Sequence, residues 1–166
     1  MGTKGKEIVR ISVNKLLKLL NKAYADEWLA YYQYWVSAKI VKGKMRKAVA
    51  DELVEHASDE LKHAGMLADR IIQLGGVPLI DFTKLNNNAN CKYANPTKPD
   101  TAKILRQAID GERCAIDVYN ELLKVLKDKD EITYHTVLEI LEDEVEHEED
   151  FQTLLDDVKS LTKGKA

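Results

Sequence analysis

Apolar residues recur at alternating intervals of three and four along most of this chain, the spacing that gathers side chains on one face of an α-helix. The pattern is interrupted at Gly43, at Gly75-Gly76 and in a polar turn before the last periodic segment. It therefore predicts four long helices, over about residues 13–40, 44–74, 101–126 and 131–161.

The connections between the predicted helices differ in length. The first and third are short, whereas residues 76–100 contain all three prolines and predict a long crossover between helices two and three. Short, long and short connections are typical of ferritin-like four-helix bundles, so the predicted fold class is all-α with this topology. The 166 residues are expected to form a single domain with tails at residues 1–12 and 162–166, and Asp100 or Thr101 is expected to cap the third helix.

Each predicted helix carries a glutamate in the middle of its apolar face. The two halves of the chain repeat this arrangement, because Glu27 precedes Glu60 by 33 residues and Glu112 precedes Glu144 by 32. In each half a histidine follows the second glutamate by three residues, which places both on one helical face. The alternative, that these are surface residues on slightly rotated helices, requires four apolar faces to be misread independently.

Four carboxylates that face one another inside a bundle need a compensating charge. An unpaired buried carboxylate costs on the order of several kcal/mol, and its neighbours would repel it. Two divalent cations would neutralise the four charges, and oxygen and imidazole ligands suit iron or manganese, with zinc as a competitor. Glu60 and Glu144 are placed to bridge the metals, with Glu27 and Glu112 bound to one metal each. The predicted ligands are Glu27, Glu60, His63, Glu112, Glu144 and His147.

Other polar residues near these positions have two interpretations. Tyr34 and Tyr119 each follow the first glutamate of their half by seven residues, so they either hydrogen-bond a ligand carboxylate or pack as core aromatic residues. His56 lies on the apolar face of helix two and is expected to be a hydrogen-bonded core residue. Glu55 and Asp59 lie off that face, where they either pass or nucleate iron or are simply solvated, as most acidic side chains are.

Charge, hydrophobicity and cysteine content argue against several functional classes. The formal net charge of −3 argues against nucleic-acid binding, although lysines at both ends permit it weakly. No apolar run is long enough to cross a membrane, and the expected location is the cytoplasm. Cys91 and Cys114 are too few for a secreted disulfide framework, so two free thiols and a reversible disulfide both remain open.

The residues around these motifs resemble two groups of ferritin-like proteins. The stretch from Glu55 to His63 and the following Ala68-Asp69-Arg70-Ile71-Ile72 resemble the second helix of bacterioferritin. Cys91 in the crossover, together with the stretch from Glu112 to Ile116, is similar to the Dps-like proteins called thioferritins. The likeness covers roughly residues 13–158.

This resemblance implies a mini-ferritin, a twelve-subunit cage with a di-iron site in every subunit. Such proteins oxidise Fe(II), preferably with hydrogen peroxide and otherwise with O2, and store the ferric product, which protects against oxidative stress. The resemblance carries the role of iron ligand to the six residues above and implies a redox-active pair for Cys91 and Cys114. Bacterioferritin has a haem-ligating methionine directly after the glutamate that corresponds to Glu60, and Leu61 stands there, so no haem is expected.

Two other functions use related features. A rubrerythrin-like di-iron peroxidase would have similar ligands, but a complete rubrerythrin needs a Cys-x-x-Cys iron module, which this chain lacks. A DNA-binding protective Dps protein belongs to a different class, permitted by the basic ends and disfavoured by the net charge.

Overall fold

Four long helices make up most of the computed structural model. The structure describes the backbone of residues 3–163 and the side chains of residues 3–161. In chain order the elements are α1 (Lys4–Glu7), α2 (Val13–Ile40), α3 (Arg46–Gln73), a 3-10 turn (Phe82–Lys84), α4 (Leu85–Asn88), α5 (Thr101–Leu126) and α6 (Glu131–Lys163). The described part of the chain contains no strand, so the all-α prediction is confirmed. None of its helices is both long and apolar enough to span a bilayer.

The helix ends follow local capping chemistry, with two departures from the predicted boundaries. One is the end of α6, which extends to Lys163 and so into the predicted C-terminal tail. Asp100 accepts a hydrogen bond from the Lys103 backbone amide, as expected for the cap of α5. Gly75 adopts a φ of 78° just after α3, a conformation that suits glycine. The start of α3 was predicted too early, because Met45 takes a left-handed φ of 57° and the helix begins at Arg46.

The four long helices form two pairs around a polar layer. α2 packs along α3 and α5 packs along α6, while the crossover joins the two pairs. One apolar cluster, which includes Leu20, Leu67 and Ile140, fills one end of the bundle. A second cluster, which includes Leu53 and Phe151, fills the other end. The buried charged residues predicted from the sequence lie between these clusters.

The crossover and the N-terminal segment are more ordered than the predicted loop and tail. The crossover contains a 3-10 turn and α4, and its backbone is fastened to α2: Asp26 accepts from the side chain of Asn90 at 2.6 Å and from the amide of Cys91 at 2.7 Å. The predicted N-terminal tail includes α1, and the amide of Arg10 donates to the carbonyl of Lys129 at 2.8 Å. Residues 1, 2 and 164–166 of the predicted tails lie outside the described residues.

A buried ion pair at one end of the bundle joins α3 to the start of α6. Arg70 Nη2 donates to both carboxylate oxygens of Asp130, at 3.0 and 2.9 Å, and its Nε donates to Thr133 Oγ1 at 2.7 Å. Asp130 also accepts from the backbone amide of Thr133, so it caps α6 at the same time. Two elements that are distant in sequence are thereby held in register.

We expect Arg70→Leu to lower the free energy of unfolding by about 3–5 kcal/mol, because it leaves the buried Asp130 carboxylate unpaired. Chemical denaturation followed by circular dichroism measures this. Arg106→Leu, at an exposed position of α5, is the matched control and should change stability by about 0.5 kcal/mol or less. Equal losses in the two variants would contradict the structural role of the pair.

Candidate metal centre

The six predicted ligands meet in the middle of the bundle. Each of the four long helices contributes a glutamate, and α3 and α6 each add the histidine one turn later. All six are nearly inaccessible to solvent, with exposures between 0 and 4%: Glu27, Glu60, His63, Glu112, Glu144 and His147. The 3.6-residue periodicity of each helix turns these side chains inward together with the apolar residues of the same face.

One half of the centre surrounds Nδ1 of His63. This nitrogen lies 3.4 Å from Glu27 Oε2, 3.5 Å from Glu60 Oε2 and 3.3 Å from Glu144 Oε1. One ligand atom from each of these four residues lies within 4.8 Å of the others. The four atoms therefore enclose a space suited to one cation.

The other half surrounds Nδ1 of His147. This nitrogen lies 3.6 Å from Glu60 Oε1, 3.9 Å from Glu144 Oε2 and 4.0 Å from Glu112 Oε1. These four residues form a second group of potential metal ligands, in which one ligand atom from each residue again lies within 4.8 Å of the others. Glu60 and Glu144 present one oxygen to each half, whereas Glu27 belongs only to the first group and Glu112 only to the second.

The polar atoms that face the centre have no other partners among the described residues. Both carboxylate oxygens of Glu60 and of Glu144 are buried without a hydrogen bond, as are Glu27 Oε2 and Nδ1 of His63 and of His147. Buried polar atoms are almost always satisfied, because an unsatisfied one costs about 1–3 kcal/mol. A set of oxygen and imidazole donors without other partners fits two divalent cations.

The pKa values of several ligand residues are shifted because the centre contains many carboxylates and little positive charge. Burial raises the pKa of Glu144 to about 8, and repulsion from Glu60 and Glu27 adds to the rise. Burial also raises the pKa of Glu60 and Glu112. Burial disfavours the charged form of His63, but the facing carboxylates outweigh it and raise the histidine's pKa. The raised pKa values of Glu60, Glu112 and Glu144 favour their protonated forms, so binding of metal ions would release protons.

The two tyrosines hydrogen-bond glutamates across the bundle. Tyr34 Oη donates to Glu112 Oε1 at 2.6 Å, and Tyr119 Oη donates to Glu27 Oε1. Burial, followed by the nearby carboxylate, raises the pKa of each tyrosine, so both hydroxyls remain donors. Tyr34 also packs edge-on against Phe151 at 5.4 Å between ring centroids, which means that hydrogen bonding and core packing occur together.

An aspartate lies beside Nε2 of each histidine, and Asp143 was not singled out from the sequence. Asp143 Oδ2 lies 3.0 Å from His63 Nε2, and Asp59 Oδ2 lies 3.7 Å from His147 Nε2. Each aspartate precedes a shared glutamate, so the motif in both halves is Asp-Glu-x-x-His. The repeat of that aspartate was the available signal. The Asp59 side chain is 39% exposed, which agrees with the expected solvated position, and it approaches His147 without a hydrogen bond.

His56 is buried as expected, but its environment differs from that of a satisfied core histidine. Its ring stacks on His147 with the centroids 4.0 Å apart, and its Nδ1 has no hydrogen-bond partner in the described chain. Burial, together with the nearby His147, lowers the pKa of His56 to about 3, so the imidazole is neutral.

Cys91 and Cys114 form a disulfide beside the centre, with their Cα atoms 6.0 Å apart. They line a cavity of about 300 Å³ whose walls also include Glu27, Glu60 and Glu112. The two cysteines are thus bonded to each other, whereas the reversibility of this bond stays a prediction. Asp26, which anchors the crossover here, was not singled out from the sequence. Burial raises its pKa to about 7, against the opposing hydrogen bonds from Asn90 and Cys91.

Comparison with known proteins gives a consistent set of relatives. A family model described as a ferritin-like domain matches residues 17–161. The structure of a dodecameric thioferritin, a bacterioferritin-related protein from Bacteroides fragilis, is 42% identical, with 99% of each chain covered and a TM-score of 0.96. A Pyrococcus furiosus protein named DNA protection during starvation protein is 36% identical over 146 residues, which is 87% of this chain and 79% of the relative.

A more distant relative is the bacterioferritin of Desulfovibrio desulfuricans. It is 29% identical over 148 residues, which is 89% of this chain and 78% of the relative. The resemblance to thioferritins and bacterioferritins that the motifs indicated is thus confirmed over nearly the whole chain. The chain belongs to the ferritin-like family.

Proposed function

We propose that this protein is a ferroxidase and iron-storage mini-ferritin, which oxidises Fe(II) at the six-residue centre and stores the ferric product. The observation that carries the proposal is the pair of overlapping four-residue groups that share Glu60 and Glu144, whose inward-facing atoms lack other partners in the described chain. Ferritin-like proteins of this kind hold two iron ions, and the donor set here suits Fe(II).

Each pair of residues would have its own task. Glu60 and Glu144 would bridge the two ions, because each directs one oxygen to either half of the centre. Glu27 and Glu112 would each bind one ion in the half that they face. The two histidines would complete the coordination through Nδ1, while Asp143 and Asp59 face their opposite ring nitrogens. Manganese or zinc can take the same positions.

The two adjacent Fe(II) ions matter because peroxide accepts two electrons. Each Fe(II) gives up one electron, the O–O bond of hydrogen peroxide breaks, and two protons are taken up to yield two water molecules and two Fe(III). A single Fe(II) would deliver one electron and release a hydroxyl radical. Because the protein holds both ions side by side, the reaction avoids that radical. O2 is the second candidate oxidant.

The cavity beside the centre gives a small oxidant a route to the metals. It is bounded by the disulfide on one side and reaches Glu27, Glu60, Glu112 and Glu144 on the other. When reduced, Cys91 and Cys114 hold two electrons, the number that one peroxide molecule takes. We therefore assign the pair a role in sensing oxidant or supplying electrons, as the thioferritin relationship suggests.

The likeness to a dodecameric thioferritin supports a twelve-subunit cage for this chain as well. Three apolar residues of the crossover are strongly exposed in the isolated chain, Val77 at 69%, Ile80 at 86% and Phe82 at 68%. Exposed apolar side chains that lie close together often mark protein–protein contacts. Contact with a neighbouring subunit would remove this apolar surface from water.

DNA protection is the second candidate function, because the Pyrococcus furiosus relative carries that name. The formal net charge of −3 does not favour it. We expect no gel shift of double-stranded DNA at moderate salt, since a counterion-release mechanism requires several basic contacts. A shift that persists in the Glu60→Ala variant would support a shielding role that is independent of iron oxidation.

The central prediction concerns the stoichiometry of iron oxidation. After anaerobic loading with Fe(II), we expect each peroxide that reacts at the centre of one chain to oxidise about two Fe(II), with loss of this activity in Glu60→Ala and in His147→Ala. Absorbance of Fe(III) follows the reaction, and circular dichroism checks that the variants fold. Glu142→Ala, an exposed glutamate on α6, is the matched control. Unchanged oxidation in both centre variants would refute the proposal.

A second prediction tests the crossed tyrosines. Tyr34→Phe and Tyr119→Phe should each weaken Co(II) binding by about tenfold, because the hydroxyl that orients a terminal carboxylate is lost while the ring remains. Visible absorption of bound Co(II) gives the affinity. Tyr32→Phe, a half-exposed tyrosine away from the centre, is the control and should bind like the parent. If the affinities of all three variants match the parent, the tyrosines serve packing alone.

A further inference from the structure

A second cluster of potential metal ligands lies outside the six-residue centre. Glu52 and His56 of α3 approach Asp150 of α6, and one ligand atom from each residue lies within 4.8 Å of the others. His56 is 3% exposed, whereas the side chains of Glu52 and Asp150 are 28% and 45% exposed. The cluster therefore extends from the bundle interior to its surface.

His56 faces the two carboxylates without a normal hydrogen bond to either. Its Nε2 lies 3.3 Å from Glu52 Oε1 and 3.6 Å from Asp150 Oδ2, beyond the roughly 2.7–3.2 Å of a typical N–H···O bond. Its Nδ1 is buried and has no partner within the described residues. Because Nε2 makes no normal hydrogen bond, it is available to bind a cation that lies between it and the two carboxylates.

The position of His56 is not explained by the two-fold repeat of the bundle. His56 precedes His63 by seven residues, and the residue that precedes His147 by seven is the buried Ile140. An aliphatic side chain thus satisfies the packing at the equivalent site. The histidine introduces a polar group that the fold itself does not require.

The surrounding charge favours a cation. In the described chain neither Glu52 nor Asp150 forms an ion pair with a lysine or arginine, and the ion-pair contact of each is with His56. One carboxylate oxygen of Glu52 lies within 4.8 Å of one carboxylate oxygen of Asp150, so their like charges repel. A divalent cation among these carboxylates would relieve that repulsion.

The cluster is continuous with the six-residue centre. The ring of His56 stacks on that of His147 at 4.0 Å, and His56 also belongs to a group of potential ligands with Glu112 and His147. His56 therefore touches both the half-exposed carboxylates and the buried ligands. His147 links the two groups, because it stacks on His56 and belongs to the six-residue centre.

We infer that Glu52, His56 and Asp150 form a third cation site, which takes up a divalent cation such as Fe(II) and delivers it to the centre past His147. The delivery step rests on the function proposed above, whereas the binding site stands on its own geometry. Oxygen and imidazole ligands suit the same class of cation as the centre. The six ligands of the centre are nearly closed to solvent, so a partly exposed site beside them provides a point of entry.

The binding test counts Co(II), a redox-stable probe, under anaerobic conditions on the assembled protein. We expect the parent to bind about three Co(II) per chain and Glu52→Gln/Asp150→Asn to bind about two. Asp117→Asn/Glu121→Gln, an exposed acidic pair on α5, removes the same charge and should bind like the parent. Equal binding by the parent and Glu52→Gln/Asp150→Asn would overturn the third site. Loss of one ion in the control as well would also overturn the third site, because removal of acidic charge anywhere on the surface would then explain the lower binding.

Glu60→Ala separates failure of the third site from failure of the six-residue centre. It should lose ions from the centre and keep the ion at the third site. If Glu60→Ala binds as many Co(II) ions as the parent while Glu52→Gln/Asp150→Asn loses one ion, the assignment of the six-residue centre is refuted and the third site is supported. Crystals of the parent grown with Co(II) give an independent check, since an anomalous difference peak beside His56 Nε2 is expected and its absence overturns the site.

The delivery step has a kinetic test. At limiting Fe(II), stopped-flow mixing with peroxide should show iron oxidation in Glu52→Gln/Asp150→Asn slowed by about threefold or more, because the acidic entry that attracts the cation is lost. The final amount of Fe(III) per chain should match the parent, since the centre is intact. An unchanged rate would overturn delivery through this site.

Discussion

Mutual repulsion among four buried carboxylates is the constraint on which the rest of this structure depends. Glu27, Glu60, Glu112 and Glu144 lie between two apolar clusters, where water does not screen their charges. An apolar layer at this level would be the more stable arrangement for an isolated bundle. The fold tolerates the polar layer because the clusters above and below it supply hydrophobic stabilisation, and a pair of cations would reverse the electrostatic cost.

The two halves of the bundle meet this constraint in the same way. Each half contributes an Asp-Glu-x-x-His motif, and each tyrosine hydrogen-bonds the glutamate of the opposite half. The crossed bonds tie α2 to α5, so the terminal carboxylates are positioned by the packing of the two pairs. His56 is the departure from this symmetry, since Ile140 stands at the corresponding place. Packing at this place therefore does not require a histidine.

The crossover combines a topological role with a chemical one. It has to connect two distant helix ends, and it is fastened to α2 through Asp26 and joined to α5 through the Cys91–Cys114 disulfide. The same disulfide lines the cavity that leads to the buried carboxylates. The stability of the loop and the oxidation state of the cysteines are therefore linked at the edge of the candidate metal centre.

The sequence by itself determined the four long helices and the inward positions of Glu27, Glu60, His63, Glu112, Glu144 and His147, because helical periodicity is a local property that glycines and turns delimit. Tertiary structure decided which remote groups meet. Arg70 pairs with Asp130, Asp26 holds Asn90, and Cys91 bonds Cys114. His56 acquires its carboxylate neighbours only when α6 brings Asp150 alongside α3. Such contacts depend on the relative rotation of packed helices and on the path of the crossover, neither of which is encoded in the spacing of residues along one helix.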